Sequence, residues 1–393
     1  MNRRQFLSST ITAGVALGTR AAETSAKLRV AVIGHTGRGN YGHALDTMWL
    51  RLPETEIVAV ADADGKGLVA EVKKLKLGKG FADYRSMLAE MKPEIVAITP
   101  RFVDEHRDMT LAAVEAGARG IYSEKPFCRT LAEADEIIAV CERRHVTFAL
   151  AHVGRYHPAL PVVERLVKEG GIGRLLEMRA RGKEDSRGGA LDLWVLGSHV
   201  LNLATVFGGR PMTCSATLLQ NGRPVVRADV KEGDEGIGSL AGNEVHARFE
   251  MERSVPCFFD SVQGAGEKAA GFGVQLIGTK GIVDIRSDRE PFAQLLAGSP
   301  FLPAGGPRVW VPISSAGVGK PEPLAEMQDA GNRHLFAGRD LIAAMRGNRP
   351  PLCSAEDGRV VIEMISAVFE SHRLNGQRVT LPLKTRQNPL AML

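Results

Sequence analysis

Along the first part of the chain, short uninterrupted apolar runs alternate with segments whose apolar positions recur every three or four residues. The runs at 30–33, 56–61, 94–98, 120–122 and 146–150 are too short for helices and apolar at nearly every position. That pattern predicts strands buried on both faces. Helical spacing follows the runs at 42–52, 66–77, 84–91 and 104–116, and Thr130-Leu131-Ala132-Glu133 has the form of a capping box. It opens a helix whose apolar stripe is Leu131, Ala134, Ile137, Ile138 and Cys141. Strands alternating with helices predict a doubly wound parallel sheet over residues 27–152.

After about residue 153 the rhythm changes. A helix at 160–169, a strand at 174–181 and a helical segment at 191–207 are followed by strand-like runs at 214–219, 244–249, 256–262, 274–277 and 283–285. Gly278-Thr279-Lys280-Gly281 reads as a hairpin turn. Residues 222–242 and 286–320 read as loops, Ser354-Ala355-Glu356-Asp357 caps a last helix to about Arg373, and 379–381 is a short final strand. Few helices separate these strands, so residues 153–382 are expected to form an α+β domain on an open, mostly antiparallel sheet, with 383–393 as a tail.

The first apolar run breaks into Gly34-His35-Thr36-Gly37-Arg38-Gly39, and the second ends in Asp62. A strand, a tight glycine turn and a helix followed by an acid at the next strand end are what a dinucleotide needs. Glycines let backbone N–H groups approach the diphosphate, and the acid takes the ribose hydroxyls. Thr36 stands where the second glycine of G-x-G-x-x-G belongs. Asp62 has no arginine directly after it, which favours NAD over NADP.

The N-terminus changes where this fold is expected to work. Asn2-Arg3-Arg4-Gln5-Phe6-Leu7, a short weakly apolar stretch and small residues up to Ala26 have the form of a twin-arginine export signal over residues 1–26. The stretch is too short to span a membrane, and export predicts a periplasmic or other extracytoplasmic protein. Without it the chain carries 47 basic and 44 acidic residues, a charge of +3, too small to imply nucleic acid or an anionic membrane. Five scattered cysteines give neither a zinc pattern nor a disulfide framework, and no clustered His, Cys and carboxylate set suggests a metal.

In a doubly wound sheet ligands gather at the carboxyl ends of the strands. Thr99-Pro100 and Glu124-Lys125-Pro126 therefore share a rim with the glycine turn, and Lys125 is placed to hold a reacting oxygen. Arg155 and His157 lie where one domain hands over to the next, Trp194 and His199 on the following helical segment. From position alone, each of these also fits a surface or core residue.

On these motifs the chain resembles the glucose–fructose oxidoreductase/inositol dehydrogenase/MocA family. The matches are the glycine turn, Thr99-Pro100 with His106 beyond it, Glu124-Lys125-Pro126, Arg155-Tyr156-His157-Pro158, Gly171-Ile172-Gly173 and Gly278-Thr279-Lys280-Gly281. The terminal helix followed by Val379-Thr380-Leu381-Pro382 also fits. The resemblance implies a nicotinamide cofactor bound by Gly34, His35, Thr36, Gly37, Arg38, Gly39, Asp62, Thr99, Pro100, Glu124 and Lys125. It implies a carbohydrate or polyol substrate near Arg155, His157 and Trp194, and a homodimer or homotetramer. Lys125 would hold the reacting oxygen and His199 would exchange its proton. Many members carry Asp one helical turn before this histidine, where Val195 stands here. Asp192, the remaining catalytic candidate, lies about 10.5 Å away along a regular helix, too far to orient His199 directly, so either it contacts substrate from the helix start or the usual acid–base pair is broken. Three readings follow: an exported NAD-dependent oxidoreductase with tightly held NAD, a glycoside-cleaving enzyme using NAD as an internal redox relay, and a catalytically silent sugar- or nucleotide-binding protein.

Overall fold

The computed structural model describes residues 26–393 except 269–270, 304 and 329–332. The proposed export signal lies outside the described residues, apart from Ala26. Five parallel strands, β1 (Leu28–Ile33), β2 (Thr55–Ala61), β3 (Ile95–Ile98), β4 (Gly120–Ser123) and β5 (Thr147–Leu150), stand in the order β2-β1-β3-β4-β5. The strand order reverses between β1 and β3, which opens a crevice above Ile33 and Ile98. Val30, Ala31, Val32 and all of β3 are completely buried, as near-uniform apolar runs require.

Helices α1 (Gly65–Lys74), α2 (Tyr84–Met91), α3 (His106–Glu115) and α4 (Leu131–Arg144) flank the sheet. Asp64, Asp83 and Thr130 cap α1, α2 and α4 with their side chains, each accepting a first-turn N–H. The expected helix at 42–52 is absent. Asn40, Gly42 and Ala44 are left-handed, with φ of 56°, 59° and 69°, and helix does not propagate through such residues. Only a 3-10 turn, Met48–Arg51, remains. The segment is anchored by burial instead, through Leu45, an Asp46–Lys74 ion pair and the Trp49 indole donating to the Leu45 carbonyl at 2.9 Å.

The second domain is built on a large sheet in which Leu175–Arg181 pairs in parallel with Pro256–Val262, and every other neighbouring pair is antiparallel. Gly278 and Gly281 face each other across the expected hairpin turn. The loop-rich stretch at 286–320 contains three further strands, Ala293–Ala297, Trp310–Ser314 and Gly317–Val318, and a helix not anticipated from the pattern spans Arg333–Gly347. Residues 383–393 are docked rather than a free tail: Leu383 N–H donates to Glu363 and Leu390 is fully buried.

The helix Ala190–Gly208 passes through the junction of the domains. Among the described residues it is the one helix long and apolar enough to cross a membrane, yet 72% of it is buried inside the fold, so it reads as a core helix. Its first part contains a π-turn at Leu193–Gly197, a form that recurs at functional positions.

Candidate active site

The crevice above β1 and β3 collects most of the residues expected on the rim. Thr99 is fully buried and its hydroxyl donates to the Ile33 carbonyl at 2.8 Å, tying β3 to β1 where the glycine turn begins. His106 bridges the rim, with Nε2 2.7 Å from the Pro100 carbonyl and Nδ1 2.8 Å from that of Pro126. This holds the loops after β3 and β4 at a fixed separation. Gly39 is required here, because a Cβ would lie 2.4 Å from the Arg101 backbone nitrogen.

Lys125 leaves the end of β4 and is only 7% exposed. Its ammonium donates to the Val195 carbonyl at 3.0 Å, inside the π-turn of the second-domain helix. That bond stretches the lysine across the domain junction and leaves two of its three protons free. His199, four residues further along, is half-buried beside it. Burial, then the charge of Lys125 and the neighbouring His152, His43 and His334, holds its imidazole well below the usual histidine range. Lys125 and His199 therefore stand within electrostatic reach of each other, one from each domain.

Asp192 does not join them. Its Oδ2 accepts from the Glu184 N–H at 2.9 Å and the Ser261 hydroxyl at 2.7 Å, which fixes the helix start to neighbouring strand ends. No hydrogen bond links it to His199 among the described residues, so its expected catalytic place becomes a structural one. Burial raises its carboxyl above the ordinary aspartate value. Arg155 is drawn to Asp357 at 3.3 Å. His157 stacks on Phe292 with centroids 3.9 Å apart and faces Glu290 at 3.3 Å. It opens on a separate cavity of about 800 Å³ between Glu290 and Met327. Trp194 is 1% exposed, its indole N–H without a protein partner.

Sequence reasoning missed two histidines. His152, just beyond β5, is 1% exposed, and its ring lies edge-to-face with His199, centroids 5.1 Å apart. His334, on the unanticipated helix, shares a 2.7 Å hydrogen bond with the Tyr122 hydroxyl. The readable signal for His152 was its place: it follows a strand on the same rim as Lys125.

The diphosphate end has the right groups in a self-closed arrangement. The Thr36 N–H donates to the Asp62 carboxylate, the Gly37 N–H to the Asn40 side chain at 3.1 Å, and the His35 N–H to the Asn40 carbonyl at 3.1 Å. The Tyr41 ring covers Gly34, where an added Cβ would lie 2.1 Å from it, and its hydroxyl donates to Asp62 at 2.7 Å. Burial opposes ionisation of Asp62, but hydrogen bonds from Thr36, Tyr41 and Asp64 outweigh it and hold the carboxyl below its ordinary value. His35 and Arg38 pair with Glu105, and Arg38 also with Asp104. The donor set fits a dinucleotide: amides at the turn, an acid at the end of β2, and Lys125 on the same rim. In this conformation Asn40, Tyr41 and Asp62 take up those groups, so admitting the cofactor requires Asn40 and Tyr41 to withdraw. Among the described residues no three or more His, Cys, Asp or Glu side chains are grouped to hold a metal ion.

Residues 28–152 match the model of the Gfo/Idh/MocA oxidoreductase family, NAD-binding Rossmann fold. The chain is similar to D-apiose dehydrogenase of Paraburkholderia graminis, 33% identical over 134 residues, which cover 34% of each protein. It is similar to levoglucosan dehydrogenase of Pseudarthrobacter phenanthrenivorans, 25% identical over 218 residues, 49% of this chain and 52% of the relative. These matches span a third to about half of the relatives' length. The fold as a whole is shared with crystallised levoglucosan dehydrogenase in complex with NADH and levoglucosan, TM-score 0.73 at 19% identity. That match covers 91% of this chain and 100% of the other. An NAD-binding oxidoreductase from Klebsiella pneumoniae matches with a TM-score of 0.71 at 20% identity, again covering 91% and 100%. Residues 28–152 are thus similar to the NAD-binding Rossmann domain of the Gfo/Idh/MocA oxidoreductase family, and the fold of the whole chain is shared with the crystallised oxidoreductases.

Proposed function

We propose that this protein is an NAD-dependent oxidoreductase acting on a hydroxyl of a carbohydrate or polyol. The observation that carries this reading is that Lys125, bonded to the Val195 carbonyl, lies within electrostatic reach of His199 at the carboxyl edge of an NAD-binding sheet. NAD, when bound, supplies the hydride acceptor or donor. Lys125, with two protons free, binds the reacting oxygen and stabilises negative charge developing on it. His199, neutral through its surroundings, is ready to take the hydroxyl proton, or to return it in the opposite direction. Relatives named as D-apiose, D-xylose and levoglucosan dehydrogenases support a small sugar or anhydrosugar as the substrate class.

The N-terminal motif supports export by the twin-arginine route, which carries folded proteins. An exported enzyme has no NAD pool to draw on, so the cofactor is expected to be loaded before export and retained. Retention favours a second reading, in which oxidation of a ring hydroxyl promotes elimination of an aglycone and the hydride then returns. Homodimers or homotetramers through the open sheet face are proposed by resemblance alone.

The test combines nucleotide content with product analysis. Purified protein is assayed for bound NAD and then given a panel of sugars, polyols and aryl glycosides. Reduced nicotinamide with a ketosugar product supports the dehydrogenase. Released aglycone without net reduction supports the relay, and failure to bind NAD or transform any member counts against both.

A further inference from the structure

We propose that His152 is the positioning residue of His199, standing in for the carboxylate that Val195 does not supply. The inference rests on His199 being the proton-exchanging group. A histidine that takes a proton on one ring nitrogen must carry hydrogen on the other, and a hydrogen-bond acceptor at that second nitrogen fixes tautomer and ring orientation. Neither nearby residue of the same helix does this. Val195 has no polar side chain, and Asp192 is held through Oδ2 by Glu184 and Ser261, while its buried Oδ1 makes no hydrogen bond to His199.

His152 has what the position needs. Both of its ring nitrogens are buried without a hydrogen-bond partner, an arrangement that costs stability and calls for an explanation. Its backbone is pinned, with its N–H on the Leu150 carbonyl and its own carbonyl accepting from Arg155, both at 2.9 Å, so the ring is presented from a rigid strand end. The rings of His152 and His199 are edge-to-face at 82°. Rotation of either ring about its own bond turns that contact into an N–H···N hydrogen bond without moving the backbone. The charged and titratable groups around His152 are Lys125 from the end of β4, Arg155 from the turn after β5, the Cys353 thiol ahead of the last helix, which faces the His152 backbone N–H, and His199 itself. Burial, followed by those two cations, keeps the imidazole neutral down to a pKa of about 3, so it always offers one acceptor nitrogen. A neutral acceptor orients His199 without adding the negative charge of a carboxylate, which leaves the proton affinity of His199 low.

The experiment is nitrogen NMR of the full-length mature protein labelled with 15N-histidine, the His199 signals being assigned by loss in His199→Gln. The expected result is a through-hydrogen-bond coupling between the His152 and His199 nitrogens and one dominant His199 tautomer. In His152→Phe, which keeps the ring packing, the coupling vanishes and the tautomer ratio falls about five- to ten-fold, while His152→Gln, which keeps an acceptor, restores it. A wild-type spectrum with no coupling overturns the proposal even if neither variant folds. So does a His152→Phe ratio within about two-fold of wild type. Because none of these readouts is turnover, failure of the histidine pair is distinguishable from failure of the oxidoreductase reading.

Discussion

Removing one hydroxyl tests whether the closed glycine turn opposes cofactor entry. In the closed form Tyr41 lies over Gly34 and donates to a buried, ionised Asp62 at 2.7 Å. Both residues are less than a tenth exposed, so solvent does little to weaken the bond. A hydrogen bond to a charged group contributes about 1.5–3 kcal/mol. Tyr41→Phe keeps the ring and removes only that bond. If the closed form dominates without cofactor, the cost of opening falls by that amount, and apparent NAD affinity rises about ten-fold or more. The same change lowers the thermal stability of the cofactor-free protein and leaves the NAD-saturated protein close to wild type. NADH fluorescence titration gives the affinity, stopped-flow mixing gives the association rate, and thermal unfolding with and without NAD gives the rest. Tyr41→Phe protein that binds NADH no more tightly than wild type, or more weakly, would refute the reasoning and make Tyr41 a cofactor contact rather than a latch.

Asn40→Ala, which frees the Gly37 amide, is expected to act in the same direction as Tyr41→Phe in the titration, and a loss of affinity would show that Asn40 shapes the bound form. Acid stability follows from the buried histidines. His152 and His334 both have imidazoles depressed to about 3, by burial first and neighbouring positive charge second. They remain neutral in the folded chain while the unfolded chain takes up protons below about pH 6.5, so stability falls by about 1.4 kcal/mol per group per pH unit between there and pH 3. His334→Phe should reduce the slope of stability against pH by about one such increment, and an unchanged slope between pH 6 and 4 would contradict the assignment. His246 works with the opposite sign. Burial lowers its pKa, but hydrogen bonds that its ring nitrogens donate to Glu244 and Asp260 outweigh this and raise it, so its contribution is full below pH 6.5 and is lost as pH rises through the raised value. The pair is substantially exposed, so His246→Gln should cost about 1 kcal/mol or less at pH 6 and nothing at pH 9, read from urea unfolding midpoints.

What the sequence makes legible is where local chemistry and tertiary structure agree. The apolar runs of β1 and β3 have no alternative to a doubly covered sheet, and Thr130 and Ser354 mark helix starts because their side chains accept first-turn N–H groups. The hairpin at Gly278–Gly281 is equally local. The segment after the glycine turn is different. Its apolar spacing satisfies a helix, but Ala44 in a left-handed conformation is imposed by burial of Tyr41, Leu45 and Asp46, which no periodicity reveals. In the candidate site, Lys125 and His199 were legible from rim position and motif. The fate of Asp192 was not, because its partners, Glu184 and Ser261, are eight and 69 residues away. His152 was hidden for a related reason: its value comes from a ring on another element.

Whether Lys125 and His199 act on one hydroxyl is decided by single-turnover hydride transfer in NAD-loaded Lys125→Met protein, with a carbohydrate that the wild type oxidises. Loss of the ammonium should slow reduction of the nicotinamide by about 10²–10³-fold, because charge on the reacting oxygen is no longer stabilised. NADH binding should change far less than the rate of hydride transfer. Reduction at the wild-type rate in that variant would contradict the assignment of Lys125, and with it the reading of the cleft as the place of reaction.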